Sequence, residues 1–275
     1  MFMKKIAIII PFHKQTLNDH EEKSLQCLLK KTDKENIFLI LPKKFKENFN
    51  YQNIKKIHFD DKYFKSQKTY NQLLLSIDFF LRFKSYNYIL IYQLDSFLIK
   101  EFDELKNFYS QDYIGSPHFN IKKKRFNGIL NGGFSIRAVG ASTKVLSSDK
   151  INITFKVLIS LLRYFAGLNR LKSFICFIFK IITIYISNRI FKNKKVSIGN
   201  VIINEFPNHY NEDIFWSLFS KLFDPNFKVA NHQVAMKFGF DKDPELLLNE
   251  NSNQLPVGCH NWWSKENIDF WKKYF

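Results

Sequence analysis

Apolar residues in this chain fall into short unbroken runs in its first hundred positions and at helical spacing between those runs. KKIAIIIPFH, NIFLILP and YNYILIYQLDSFLI hold Ile, Leu, Phe and Tyr with almost no polar interruption. Runs of that length, bounded by proline or turn residues, read as strands buried on both faces, the pattern of a parallel sheet. Between them, the stretch from Asp19 to Lys30 carries Leu25, Leu28 and Leu29 on one face. The stretch from Ser66 to Phe83 carries Tyr70, Leu73, Leu74, Ile77, Phe80 and Leu81 at helical spacing. A short strand, KKIHFD, precedes that second helix. This alternation predicts an α/β fold with a Rossmann-like, mostly parallel sheet, flanking helices and right-handed crossovers.

Beyond the third run the pattern is mixed. EFDELKNFY reads as a short amphipathic helix, DYIGSPHF as a strand running into a loop, and NGGFS as a glycine pair after a polar loop. A helix containing Lys144 to Leu146 follows NGGFSIRA. NEDIFWSLFSKLF reads as a helix with Asn211 as its N-cap and Glu212 and Asp213 in its first turn, where the macrodipole favours acids. KVANHQVAMKFGFD predicts a strand, a helical turn and a second strand.

Candidate chemistry collects at the ends of these elements. Asp95 is carried by an apolar run to the point where a buried strand should stop. An unpaired buried carboxylate is costly, so it needs an exit to solvent or a cation. In open α/β sheets that C-terminal edge is where ligands bind. His260, in a turn with Gly258, offers an imidazole; the alternative is a structural histidine beside Trp262 and Trp263. Glu212 and Asp213 are adjacent and so point about 100° apart on a helix, which lets one do chemistry while the other caps or binds. Both are equally readable as helix-start residues. Gly132 and Gly133 remove side chains where backbone must approach a ligand or turn sharply. Lys68 and Tyr70 open a helix whose N-terminus can face phosphate. Together these parts predict a metal-assisted site for a diphosphate.

Composition narrows the setting. At 275 residues and 45% hydrophobic, the chain can bury a large core. Cys27, Cys176 and Cys259 are odd in number and far apart, which excludes a disulfide framework or zinc spacing and fits a reducing compartment. The opening MFMKKIAIIIPFHKQ reads as a buried first strand, since its apolar run is too short for a secretory signal. The net charge of +17 is uneven. From Lys150 to Asn204 there is no acidic residue, while Lys150, Lys156, Arg163, Arg170, Lys172, Lys180, Arg189, Lys192, Lys194 and Lys195 are basic. Large apolar residues are interleaved with these charges. This predicts peripheral attachment to an anionic membrane surface, since the apolar stretches fall short of the ~20 residues of a spanning helix. Core helices with solvated basic faces are the plainer alternative, and no nucleic-acid motif appears. The expected organisation is one catalytic domain in two halves, residues 1–149 and 205–275, with a basic, apolar helical insertion at 150–204.

YILIYQLDSFLI, DYIGSPHF, NGGFSIR, NEDIFW and LPVGCHNWW, in that order, resemble the bacterial DUF5672 family, grouped with GT-A glycosyltransferases of capsule and lipopolysaccharide synthesis. SLQCLLK, IFLILPK and DDKYFKSQKTYNQLLLS extend the resemblance to most of the chain outside 150–204. It implies a GT-A-like fold, a nucleotide-sugar donor, a glycan or lipid-linked glycan acceptor and a divalent metal, Mn²⁺ or Mg²⁺. Where such enzymes present DxD, this chain has Gln93-Leu94-Asp95. Asp95 is then the metal ligand, and Gln93 hydrogen-bonds the ribose or a metal-bound water. His260 supplies a second ligand, as C-terminal histidines do in several GT-A families. Asn131 and Ser135 would hydrogen-bond sugar hydroxyls, with Gly132 and Gly133 shaping the donor-sugar pocket. Pro11 and Phe12 lie where the nucleotide base is received, or form a hydrophobic cap, and Lys68 is a diphosphate candidate. By similarity to the xED motif of inverting enzymes, Asp213 is the base and Glu212 orients the acceptor.

The expectation is a cytoplasmic, membrane-peripheral, inverting glycosyltransferase. Two rivals remain open on the sequence: a metal-dependent phosphoester hydrolase using Asp95, His260 and the acids, and a non-catalytic membrane-surface protein.

Overall fold

A computed structural model of the chain describes residues 5–45, 54–120, 125–148, 151, 159, 171–190 and 211–275. In chain order its elements are β1 (Ile6–Pro11), α1 (Asp19–Lys31), β2 (Ile37–Pro42), β3 (Lys55–Phe59), α2 (Gln67–Leu74), α3 (Ile77–Arg82), β4 (Tyr88–Tyr92), β5 (Phe97–Leu98), β6 (Tyr113–Asn120) and β7 (Arg125–Ala138). There follow α4 (Val139–Ser147), α5 (Leu171–Ile190), α6 (212–223), α7 (His232–Phe238), β8 (Gly239–Phe240), α8 (Pro244–Glu250), β9 (Gly258–Cys259) and α9 (Ile268–Trp271). The chain divides into two compact units. One is Met1–Asp61 with Ser85–Ala138 and Lys228–Phe275; the other is Lys62–Lys84 with Val139–Phe227.

The first unit is built on a six-stranded mixed sheet of order β3-β2-β1-β4-β7-β6. β1, β2, β3 and β4 are parallel, and β7 pairs antiparallel with both β4 and β6, so it alone opposes the rest. The apolar runs are where both faces are covered: Ala7 to Ile10 and Ile89 to Tyr92 are fully buried. α1 starts on a capping box, in which Asn18 Oδ1 accepts from the Glu21 backbone N–H and Glu21 Oε2 accepts from that of Asn18. Leu25 and Leu28 face inward. A second, three-stranded sheet of order β5-β9-β8 is made of two-residue strands.

Several elements depart from the expected pattern, each for a local reason. EFDELKNFY forms a 3₁₀ helix over Phe102–Phe108. From Tyr113 onward DYIGSPHF stays a strand, as β6, with no loop at its end. The glycine pair lies inside a strand, β7, and not in a loop. Gly115 of β6 pairs with Ser135 and Pro117 with Leu130, so residues 131–134 bulge opposite Ser116.

In the second unit, the helix expected over Ser66 to Phe83 is two helices. Ser76 Oγ accepts the Phe79 N–H at 3.2 Å, which gives α3 its own N-cap and ends α2. α6 is continuous, yet its middle, Phe215–Phe219, is a π turn between α-helical ends. Trp216, fully buried, packs edge-on to Phe80 of α3 at 5.5 Å and stacks on Phe227 at 5.9 Å. Of the 150–204 insertion only Ile151, Ile159 and α5 are described; the remaining expectations for that segment lie outside the described residues. Among the described residues no helix is long and apolar enough to cross a membrane.

Candidate active site

β4 stops at Tyr92, and the Gln93 N–H donates to Gly133 O at 2.9 Å before the chain turns through Leu94 and Asp95. The next strand, β5, pairs antiparallel with β9, Phe97 facing Cys259. β9 in turn pairs in parallel with β8, Cys259 beside Phe240. Each of these strands is two residues long, and each carries a functional side chain just outside its paired residues: Asp95 before β5, His260 after β9, Asp241 after β8. The Trp262 N–H donates to Asp95 O at 3.1 Å, and the His260 N–H to Phe240 O at 2.8 Å, which locks the three together.

His260 is the centre of the cluster. Its Nδ1 lies 3.0 Å from Asp241 Oδ1, and its Nε2 lies 3.2 Å from both Asp95 Oδ1 and Gln93 Oε1. Asp241, with only 3% of its side chain exposed, is also reached by Asn131 Nδ2 at 3.1 Å and by His118 Nε2 at 3.4 Å. Asn131 Oδ1 accepts the Gly133 N–H at 2.7 Å, so the β7 bulge is tied into the same network. The close approach explains Gly133: a Cβ there would fall 2.1 Å from His260 Nε2 and 2.7 Å from Gln93 Oε1. Asp95 is the open member, with 28% of its side chain accessible against 12% for His260.

Electrostatics follow from this arrangement. Burial alone would lower the His260 pKa, but the charge of Asp95 and hydrogen bonds to Asp241 and Asp95 outweigh it and push the value up to about 10. Burial would raise Asp241, yet hydrogen bonds from His118 and His260 hold its carboxyl well below the usual carboxylate range. Without a cation the cluster is thus an imidazolium between carboxylates, and a cation on Nε2 would take the place of the proton there.

The same geometry suits a divalent cation. Two adjacent ligands of an octahedral ion at ~2.1 Å stand about 3.0 Å apart, close to the 3.2 Å between Asp95 Oδ1 and His260 Nε2. A carboxylate on the far nitrogen is the usual device for orienting a ligating imidazole, and Asp241 occupies that place. Gln93 Oε1 is the third donor at hand. No group of three His, Cys, Asp or Glu side chains forms a cation site among the described residues. A bound ion would therefore draw its remaining ligands from substrate phosphate or water.

Asp95, His260, Gln93, Asn131 and Gly133, all expected from the sequence, therefore meet in the first unit, and Gly132 sits in the same bulge. Asp241 and His118 were missed. Asp241 had a signal, since like Asp95 it follows directly on apolar residues (KFGFD). The other expected residues stand differently. Ser135 is fully buried and its Oγ donates to Gly132 O at 2.8 Å, so it does not face a ligand. Phe12 is 2% exposed and meets Phe45 edge-on, the hydrophobic-cap reading, while Pro11 beside it is half-buried. Lys68 lies exposed in the first turn of α2, in the second unit. Glu212 and Asp213 also belong to that unit, buried at the start of α6. Asn211 occupies the N-cap position but makes no cap bond with its side chain; its Oδ1 accepts from Gln67 Nε2 at 3.0 Å instead.

No curated protein matches the chain. Among solved structures, it is distantly similar to the apo form of the glycosyltransferase GlyE of Streptococcus pneumoniae TIGR4, at 10% identity and a TM-score of 0.43, over 99% of this chain and 60% of that one. Similarity to the apo form of WbbM, a bifunctional glycosyltransferase, is at 10% identity and a TM-score of 0.43, over 97% and 47%. Apo mouse xyloside xylosyltransferase 1 gives 12% and 0.44, over 92% and 96%. The chain thus spans less than two thirds of the first two. A family model described as "Protein of unknown function (DUF5672)" matches residues 53–260, and with the greater part of its length inside that model the chain belongs to the DUF5672 family.

Proposed function

We propose that this protein is a cytoplasmic glycosyltransferase that moves a sugar from a nucleotide-sugar donor to a surface polysaccharide or glycolipid, with a divalent cation and inversion at the anomeric carbon. The observation that carries this reading is the pair of donor atoms, Asp95 Oδ1 and His260 Nε2, 3.2 Å apart just past the C-terminal end of β4, with Asp241 behind the ring. Asp95 and His260 would hold the cation and Gln93 would complete the protein's share. Held there, a hard cation would supply neutralisation of charge on the departing diphosphate. Asp241 and Asn131 keep His260 and the β7 bulge in register, so little reorganisation is needed when donor arrives. Gly133 lets the imidazole of His260 and the amide of Gln93 close onto the bulge, which sets the wall that the donor sugar would meet. Asp213 is assigned as the base on the xED resemblance, with Glu212 orienting the acceptor. The acceptor oxygen bonds to the anomeric carbon, the bond from that carbon to the diphosphate breaks, and the acceptor proton passes to Asp213.

The test is donor-dependent turnover with a panel of nucleotide sugars and glycan acceptors, in the presence of Mn²⁺. Asp95→Asn and Asp213→Asn should each lower turnover at least ~100-fold in protein that still unfolds cooperatively. Release of free sugar at an undiminished rate without acceptor would support the hydrolase instead. Full transfer activity in Asp95→Asn would end the reading.

A further inference from the structure

α5 presents a helix face that the proposed chemistry does not use. Lys172, Ile175, Cys176, Phe179, Lys180, Thr183, Ile186 and Ile190 are all exposed and recur every three or four residues, which places them along one side of the helix. Phe179 and Ile190 are each 65% accessible, Ile186 49% and Ile175 42%. Burying such side chains would be favourable, so a contiguous apolar stripe left in water marks a surface meant for a partner. Basic residues lie on the same stripe, and the charge pattern around it selects the partner. Across 150–204 the chain has ten Lys or Arg residues and no Asp or Glu. A second copy meeting this face would bring like charge against like charge. A neutral protein groove would offer this basic stretch no complementary charge.

We infer that α5 docks on an anionic lipid bilayer, lying in the interface with Ile175, Phe179, Ile186 and Ile190 inserted among the acyl chains and Lys172 and Lys180 at the level of the headgroup phosphates. Lys and Arg suit this position because their apolar stems lie along the lipid while the charge stays wet. Lys180, at the middle of the 20-residue helix, lies at interface depth in this orientation, whereas in a spanning one it would sit in the hydrocarbon centre. The inference rests on α5 alone and not on the reading of the Asp95 cluster.

The test is co-sedimentation of the full chain with vesicles of phosphatidylcholine alone and of phosphatidylcholine with a quarter phosphatidylglycerol. Binding is expected to the anionic vesicles, to weaken as salt rises from about 0.15 M to 1 M, and to be slight on the neutral ones. Phe179→Asp and Ile186→Asp should each lower the partition coefficient at least ~10-fold. Lys172→Gln should lower it about five-fold, the worth of one basic residue near the surface. All three positions are exposed or, for Lys172, charged already, so the melting temperature should stay unchanged. Four results would overturn the inference: no binding to anionic vesicles; binding that Phe179→Asp leaves intact, meaning charge alone; a self-associated mass that Phe179→Asp dissolves; and retention in the membrane after alkaline carbonate, meaning a spanning helix.

Discussion

The turn after β4 and the helix α5 both place charge next to exposed surface, and they differ in what answers it. Around Asp95 every carboxylate has an imidazole within 3.2 Å, and Asp241 has two imidazoles and an amide. The network is answered from within, at the cost of bringing five separate stretches of chain together. On α5 the basic residues belong to a stretch with no acid at all, and their neighbours on the exposed face are Ile and Phe. A region whose charges are matched internally is built to hold geometry. One whose apolar area is left outward, in a stretch of a single charge sign, is built to meet something else.

The most direct way to break the first half of that comparison is Gly133→Ala. The new methyl group would have to share space with His260 Nε2, from which its position is 2.1 Å. Displacing the imidazole by about an ångström should cost at least ~100-fold in turnover. Overpacking should take about 1–3 kcal/mol from stability. Denaturant unfolding and donor-dependent turnover check both; a variant with full activity would show that His260 has no fixed place in the reaction.

Asp241→Asn sharpens it. The ring keeps a hydrogen-bond partner but loses the charge behind Nδ1, so Mn²⁺ affinity should fall by about ten- to a hundred-fold, read by titration calorimetry. The same variant tests the imidazolium. With the His260 pKa pushed up to about 10, above the ~6.5 of the unfolded chain, its stabilising contribution is complete below about pH 6.5 and is lost as pH rises through 10. The melting temperature of metal-free protein should therefore fall between pH 7 and 10, by the equivalent of a few kcal/mol. Asp241→Asn should flatten that fall. An unsloped wild-type profile over this window would sink the assignment.

The smallest expected effect compares two asparagines at helix starts. Asn18 caps α1 through a reciprocal pair of bonds, so Asn18→Ala should cost about 1 kcal/mol. Asn211 makes no such bond with its side chain, and Asn211→Ala should cost under about half as much. Equal losses by denaturant unfolding would show that position at the helix start matters more than the bond.

The strands and their burial were readable because both faces of the central sheet are covered, which leaves an unbroken apolar signature in KKIAIIIP, NIFLILP and YILIY. The boundary of α1 was readable from its apolar face and leading Asp19. Asp95 was legible as a carboxylate stranded at the end of such a run. The break at Ser76 was not, since Leu73, Leu74, Ile77 and Phe80 keep helical phase across it and only the side-chain bond to Phe79 N marks the restart. The π turn in α6 and the bulge at 131–134 were hidden for a similar reason. Each adds residues to a turn or strand without changing which residue types it contains.

What the amino-acid sequence determined by itself was the set of elements, the uneven charge and the individual candidates at element ends, because burial and capping are local demands that leave local patterns. What only tertiary structure decided was the company those candidates keep. β5, β8 and β9 are two residues long and carry no period to read, yet their pairing carries Asp95, His260 and Asp241 to one place. Contacts between residues 19 to 167 positions apart have no trace in any window of sequence, and it is those contacts that turn three ordinary side chains into one site.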